Sequence, residues 1–278
     1  MDTESVAKPV VVGVDGSECS LTAVDWAADE AKLRHRPLRI VHVFAWPLLY
    51  TPLGAPLLSS RLDDLMETAR QIVHTAERRA QARAPEVDVE SELIDGAPIP
   101  VLLEEAARAS LAVIGSRGLG AVGALFLGST GVELAARAAC PVVAVRGREH
   151  KAQRIVVGVD GSDNSLMALW SGFEEAALRA AGLTAIHAIH HPADETDGDI
   201  ADAVARLRER FPDIPTELTT VTAHPAEALI SASADADLLV VGSRGRGGFR
   251  GLMLGSVSQT VLHNADCPVA VQRAGKAH

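Results

Sequence analysis

The sequence predicts an α/β protein built from two tandem doubly wound domains, each holding a five-stranded parallel sheet in the order 3-2-1-4-5. Three observations carry this expectation. The chain repeats itself: Val11-Val12-Gly13-Val14-Asp15-Gly16-Ser17 recurs as Val156-Val157-Gly158-Val159-Asp160-Gly161-Ser162, and Val113-Ile114-Gly115-Ser116-Arg117-Gly118 as Val240-Val241-Gly242-Ser243-Arg244-Gly245. Within each copy, short apolar runs alternate with segments of helical periodicity, and parallel strands need such crossovers. Glycine-bearing loops follow the first and the fourth apolar run of each copy, where a sheet of this kind opens its ligand crevice.

The elements follow in order. Val10–Val14 is a short apolar run and reads as a buried strand, with Ser17 placed to cap the next helix. Leu21, Val24, Ala28 and Ala31 recur at helical spacing. Leu38–Phe44 is the second strand, Leu62 to Ala82 a polar-faced helix, and Val87–Ile94 a third strand with partial alternation. Pro98 and Pro100 open a helix through Val101, Leu102, Glu105 and Ala109, since proline is tolerated in a first turn. Leu111–Ile114, a helix over Ser129 to Ala139, and Val142–Val145 complete the copy. The second copy places strands at Ile155–Val159, Leu183–Ala188, Thr216–Thr222, Leu238–Val241 and Val269–Val271. His42 matches His187, and Cys140-Pro141-Val142 matches Cys267-Pro268-Val269. The second copy is shorter because the first alone has Trp46-Pro47 through Ser60, read as an extra loop or lid within the segment 46–63. The domains are expected over residues 1–148 and 152–278, joined by the polar stretch from Gly147 to Arg154.

Composition narrows the function classes. The chain has 278 residues, enough for two domains. It is 47% hydrophobic but only 3% aromatic, so its cores rest on Val, Ile, Leu and Ala. A net charge of −10 and no block of Lys or Arg argue against a nucleic-acid partner. No apolar run reaches the roughly 18 residues of a membrane helix. Cys19, Cys140 and Cys267 form no C-x-x-C pair, and free thiols fit a reducing compartment. The N-terminus is acidic and polar, unlike a signal peptide. These features place the chain in the cytoplasm.

The fourth-strand loops carry the strongest functional signal. Gly115-x2-Gly118-x9-Gly128-Ser129 is repeated as Gly242-x2-Gly245-x9-Gly255-Ser256. Glycines let a backbone approach a ligand, exposed N–H groups form an anion nest, and a helix starting at the serine adds its N-terminal field. Turn-making alone would require the glycines but not the duplicated spacing. The string Gly118-Leu119-Gly120-Ala121-Val122-Gly123 imitates a dinucleotide fingerprint. It follows the fourth strand instead of the first and has Arg250 at its last position in the second copy, so no such site is expected. No Walker-type P-loop occurs. Histidines 187, 190 and 191 lack the partners that would complete a metal site, and Arg117 and Arg244 read equally as phosphate partners or as solvated side chains.

These residues resemble the universal stress protein family, of the tandem-domain, ATP-binding type, over about the whole chain. The resemblance implies Rossmann-like domains that bind ATP, with a divalent cation such as Mg²⁺ or Mn²⁺ accompanying the phosphates. It implies Asp15 and Asp160 beside the ribose and phosphates, and Val43 and Ala188 along the adenine. Gly115, Gly118, Gly128 and Ser129, and in the second copy Gly242, Gly245, Gly255 and Ser256, would hold the phosphates. Gly96 would touch the ribose, where the second copy has Ala223. Thr130 and Ser258 would add hydroxyls. The resemblance also implies that the two fifth strands pack together as an intramolecular pseudo-dimer and that chains associate as homodimers. Asp15 and Asp160 have a plainer reading, since a strand-ending Asp often caps a turn or a helix. The expected role is that of a nucleotide-dependent regulatory or sensor protein in a stress response. The alternatives are a slow ATPase or a phosphoryl- or adenylyl-transferring enzyme, and a structural use with empty sites. No catalytic residue is assigned, because no clamp lysine or paired carboxylates are visible.

Overall fold

The computed structural model describes residues 7–45, 55–116, 128–147, 152–189, 197–246 and 254–273, with residues 55–62 and 197 described as backbone only. It divides into two compact units, Met1–Ala121 and Val122–His278.

The first unit holds β1 (Val10–Val14), α1 (Glu18–Arg34), β2 (Leu38–Phe44), α2 (Ala55–Arg83), β3 (Val89–Asp95), α3 (Pro98–Arg108) and β4 (Leu111–Gly115). Its strands are all parallel, in the order β3-β2-β1-β4. Val10 lies level with Leu38 on one side and Leu111 on the other, so β1 is central and its valines are buried. Among the described residues β3 has a neighbour on one side only, and its residues mostly alternate between half-buried and exposed.

The second unit holds α4 (Ser129–Arg137), β5 (Val142–Val145), β6 (Arg154–Val159), α5 (Asp163–Arg179), β7 (Gly182–Ile189), α6 (Asp197–Arg210), β8 (Thr216–Thr222), α7 (Pro225–Ser233), β9 (Leu238–Gly242), α8 (Ser256–Asn264) and β10 (Val269–Gln272). Its strand order is β5-β10-β9-β6-β7-β8. The second repeat thus shows the whole 3-2-1-4-5 arrangement, all parallel. β10 would be an edge with bare N–H and C=O groups, and β5 covers it by antiparallel pairing, Ala270 opposite Val143. Helix α4 and strand β5, the last elements of the first repeat, therefore belong to the second unit. Two arginines tie them in from opposite sides: Arg146, just past β5, donates to the Leu262 carbonyl of α8, and Arg273, just past β10, donates to the Ala136 carbonyl of α4 at 3.2 Å. Each meets a helix C-terminal end, where carbonyls lack partners and a cation is favoured.

One expectation is corrected. The 46–60 segment is not a loop throughout: the chain is helical from Ala55, and 46–54 lie outside the described residues. Pro56 falls in the first turn of that helix, the one place a proline does not break it. The surplus of the first repeat goes mostly into this helix, 29 residues in α2 against 14 in α6. Among the described residues no helix is long and apolar enough to cross a membrane.

Candidate functional site

The turn after β6 is built by three consecutive residues. Asp160 Oδ1 accepts from Ser162 N at 3.0 Å and from Ser162 Oγ at 2.6 Å. Gly161 takes φ +75°, a left-handed conformation that a side chain resists. Ser162 then caps α5, its hydroxyl accepting from Ser165 N at 3.3 Å. The first repeat makes the same turn: Asp15 Oδ1 accepts from Ser17 N at 3.0 Å and Ser17 Oγ at 2.6 Å, Gly16 has φ +84°, and Ser17 caps α1. The turn-capping reading of both aspartates is therefore what their side chains do.

In the second unit this turn forms one wall of a cleft of about 670 Å³. The carboxyl ends of β6, β7 and β9 form its floor, with Val159, Ala188 and Val241 among the lining residues, and Gly255 to Ser258 at the start of α8 close it. Such a volume lies within the usual range of a small-molecule site. Gly255 caps α8 without any side-chain hydrogen bond, which leaves the first N–H groups of the helix facing the cleft end. Two of the neighbouring groups are spoken for. Ser258 Oγ donates to the Gly242 carbonyl at 2.6 Å and is buried, so this hydroxyl fastens α8 to the end of β9 instead of donating to a ligand. Gly255 N donates to Ser243 O at 2.8 Å.

The glycines serve different purposes. A Cβ on Gly242 would meet the Asn164 backbone carbon at 2.8 Å, so this glycine permits β9 to pass the first turn of α5. A Cβ on Gly245 would collide with Asp160 Oδ2. The missing side chain at Gly245 makes room for the Asp160 carboxylate. On Gly255 a Cβ would press on Arg244 Cα at 3.3 Å. Ser256, the first residue of α8, is exposed.

Charge in the cleft is uneven. Asp160 is the one carboxylate among its described lining residues, while Arg244 and Arg246 both line it and are exposed. Burial pushes the Asp160 carboxyl up, yet hydrogen bonds from the Ser162 side chain and backbone and from the Arg246 N–H outweigh it and hold the group below the usual carboxylate range. That last bond, Arg246 N to Asp160 Oδ2 at 2.9 Å, joins the β9 loop to the β6 turn. Arg246 is the residue that sequence reasoning missed. The signal was present, a second arginine directly after Gly245, but periodicity and glycine spacing gave it no weight.

In the first unit, Val43 is the penultimate residue of β2, opposite Ile94. Gly96 follows β3 with φ +150°, and its N–H donates to Phe44 O at 3.0 Å. Gly115 ends β4, where a Cβ would meet Cys19 O at 2.6 Å. In the second unit, Gly128 caps α4 with nothing among the described residues within 4 Å of its Cβ position, and Ser129 and Thr130 open that helix. Gly118 and Arg117 lie outside the described residues, as do His190 and His191. Ala223 sits just past β8, half-buried. Among the described residues no group of three His, Cys, Asp or Glu side chains is arranged to hold a metal ion.

Comparison with known proteins agrees with this architecture. The model of the universal stress protein family matches the chain twice, over residues 7–146 and 151–273. Universal stress protein Rv2005c of Mycobacterium tuberculosis is 37% identical over 290 residues, covering 95% of this chain and 96% of its own. Universal stress protein Rv2623 of the same organism is 35% identical over 285 residues, covering 95% and 96%. A solved universal stress protein from Archaeoglobus fulgidus superposes with a TM-score of 0.75 at 20% identity, over 97% of this chain and 99% of that one, a likeness of fold.

Proposed function

We propose that this chain, which belongs to the universal stress protein family, is a cytoplasmic regulatory protein of the stress response whose repeats each bind ATP, and whose conformation or self-association follows occupancy. The observation that carries this reading is the second-repeat cleft. It lies at the carboxyl ends of the parallel strands β6, β7 and β9, its lining is largely apolar beside β7, and it turns cationic towards the start of α8, which no side chain caps. Adenine would lie along Ala188 at the end of β7. The phosphates would lie against Gly242, Gly245, Gly255 and Ser256, with the N–H groups of Gly245 and Ser256 as donors, since the Gly255 N–H is held by Ser243 O. The first repeat carries the same residues at Asp15, Gly115, Gly118, Gly128 and Ser129, with Val43, Gly96 and Thr130 where the second has Ala188, Ala223 and Val257, and the shared set is the reason to expect a second nucleotide per chain.

A divalent cation would neutralise phosphate charge and travel with the nucleotide, since Asp160 already accepts from Ser162 and Arg246 through both its oxygens. The same engagement disfavours the enzymatic alternative. A carboxylate occupied twice over by the protein is poorly placed to activate water, and donors that hold the ground-state triphosphate give affinity without acceleration. Turnover below about 1 s⁻¹ is expected, under the range of dedicated enzymes.

The test is calorimetry on protein stripped of co-purified nucleotide, together with size-exclusion chromatography with and without ATP. Binding of one to two ATP per chain with a shift in elution or melting temperature is expected, since a ligand of the folded state stabilises it. A stripped protein that takes up no ATP defeats the reading.

A further inference from the structure

Arg246 combines a place on the cleft wall with a guanidinium for which the described residues supply no carboxylate. Arg34, Arg79, Arg83 and Arg179 each pair with a carboxylate, in an acidic chain where carboxylates are plentiful. Arg246 is exposed on the cleft wall, and among the described residues its guanidinium donates only to the Gly161 carbonyl, at a long 3.3 Å. Its position is nevertheless fixed at both ends. Its N–H is held by Asp160 Oδ2, and its Nη2 lies 2.7 Å from where a Cβ on Gly161 would stand, so the side chain lies across the β6 turn because that residue is glycine. Arg244 lines the same cleft without a carboxylate partner among the described residues. The lone carboxylate of the wall, Asp160, is consumed by Ser162 and by the Arg246 backbone. What remains facing the cleft is net positive, with a planar fork suited to phosphate oxygens. The matching residue of the first repeat is Leu119, in Gly118-Leu119-Gly120 against Gly245-Arg246-Gly247.

We propose that Arg246 makes the second repeat selective for the number of phosphates on its ligand, favouring a triphosphate over mono- and diphosphates, and that the first repeat, with Leu119, lacks this selectivity. The inference rests on the reading of the cleft as a nucleotide site. Its chemistry is that of a charge-assisted fork added to backbone donors: the backbone recognises any phosphate, and the guanidinium adds attraction that grows with the charge of the chain it meets.

The experiment compares wild type, Arg246→Leu and Arg246→Lys by calorimetry with ATP, ADP, AMP and adenosine, and by thermal shift with inorganic tripolyphosphate against phosphate. The expected result is that Arg246→Leu weakens one class of ATP site by about tenfold and AMP much less, while adenosine binding is unchanged. Arg246→Lys, which keeps charge but loses the fork, falls between. Tripolyphosphate should raise the melting temperature of wild type more than that of Arg246→Leu. If ATP binds but the ratio of ATP to AMP affinity is the same in Arg246→Leu, or adenosine weakens equally, the inference is overturned and the nucleotide reading stands. If no nucleotide binds yet tripolyphosphate protects wild type and not the variant, the selectivity holds for a polyphosphate ligand and the ATP reading falls. Absence of both effects overturns both.

Discussion

The turns after β1 and after β6 are one piece of backbone used in two surroundings. Both have an aspartate holding the serine two residues on, a glycine at positive φ and a serine cap. What lies against the glycine differs. In the first unit a Cβ on Gly16 would meet Ile72 Cγ1 and Cδ1 at 2.9 Å, an apolar side chain from α2. In the second unit the neighbour is the Arg246 guanidinium from the β9 loop. Duplication preserved the local geometry, and the two copies then diverged in what covers it, apolar packing in one and a cation in the other. A turn whose hydrogen bonds close within a few residues tolerates a change of neighbour.

The largest effect that would break this comparison is on stability. Gly16→Ala should cost about 3 kcal/mol, from left-handed strain plus overpacking against Ile72. Gly161→Ala should cost about 1 kcal/mol, from the strain alone, because a guanidinium can swing aside. Urea unfolding followed by circular dichroism measures both, and equal losses would mean the two surroundings are equivalent.

A middle-sized effect sharpens the role of the aspartate that joins the second turn to the β9 loop. Asp160→Ala removes the acceptor of Ser162 and of the Arg246 N–H and should cost about 1–3 kcal/mol near neutral pH. The sign with pH follows from the depressed carboxyl of Asp160. Its stabilisation is fully present above the unfolded value of about 3.9 and is lost as pH falls through the lower folded value. Stability differences between wild type and variant should therefore shrink below about pH 4. A gap that stays constant from pH 7 to pH 3 would show that the variant acts through packing and not through the charged acceptor.

The smallest effect concerns the repeated Cys-Pro pairs and leaves stability untouched. Cys267 is buried, and its thiol is pushed up by burial to about 12, whereas Cys140 is half-buried. Alkylation of the native protein near pH 8, read by mass spectrometry of its peptides, should modify Cys140 well before Cys267, since the thiolate is the reacting form. Equal labelling would make the two pairs alike.

Much of the fold was legible because its signals are local. The strands at Val10–Val14, Leu38–Phe44, Val142–Val145 and Thr216–Thr222 coincide with their apolar or alternating runs. The helix starts at Ser129 and Ser256 follow from glycine–serine punctuation. The extension of α2 back to Ala55 was hidden, because prolines and serines in Trp46–Ser60 imitate a loop while Pro56 sits where a helix accepts it. In the site, the glycine spacing was visible but the reason for each glycine was not: Gly242 yields to Asn164 and Gly245 to Asp160.

The sequence by itself determined the duplication, the strand and helix pattern, the Asp-Gly-Ser turns and the glycine loops that border the cleft. Each is set by residues within a few positions of one another, through hydrogen bonds, φ preferences and alternation. Only the tertiary structure decided that α4 and β5, whose pairing with the other fifth strand the resemblance implied, belong to the second unit, that Arg246 reaches the carbonyl of Gly161 across a separation of 85 residues, and that Ile72 lies against the glycine of the first turn. Such partners are chosen by packing between elements distant in the chain. Periodicity records which face of an element is buried, but not which side chain it is buried against.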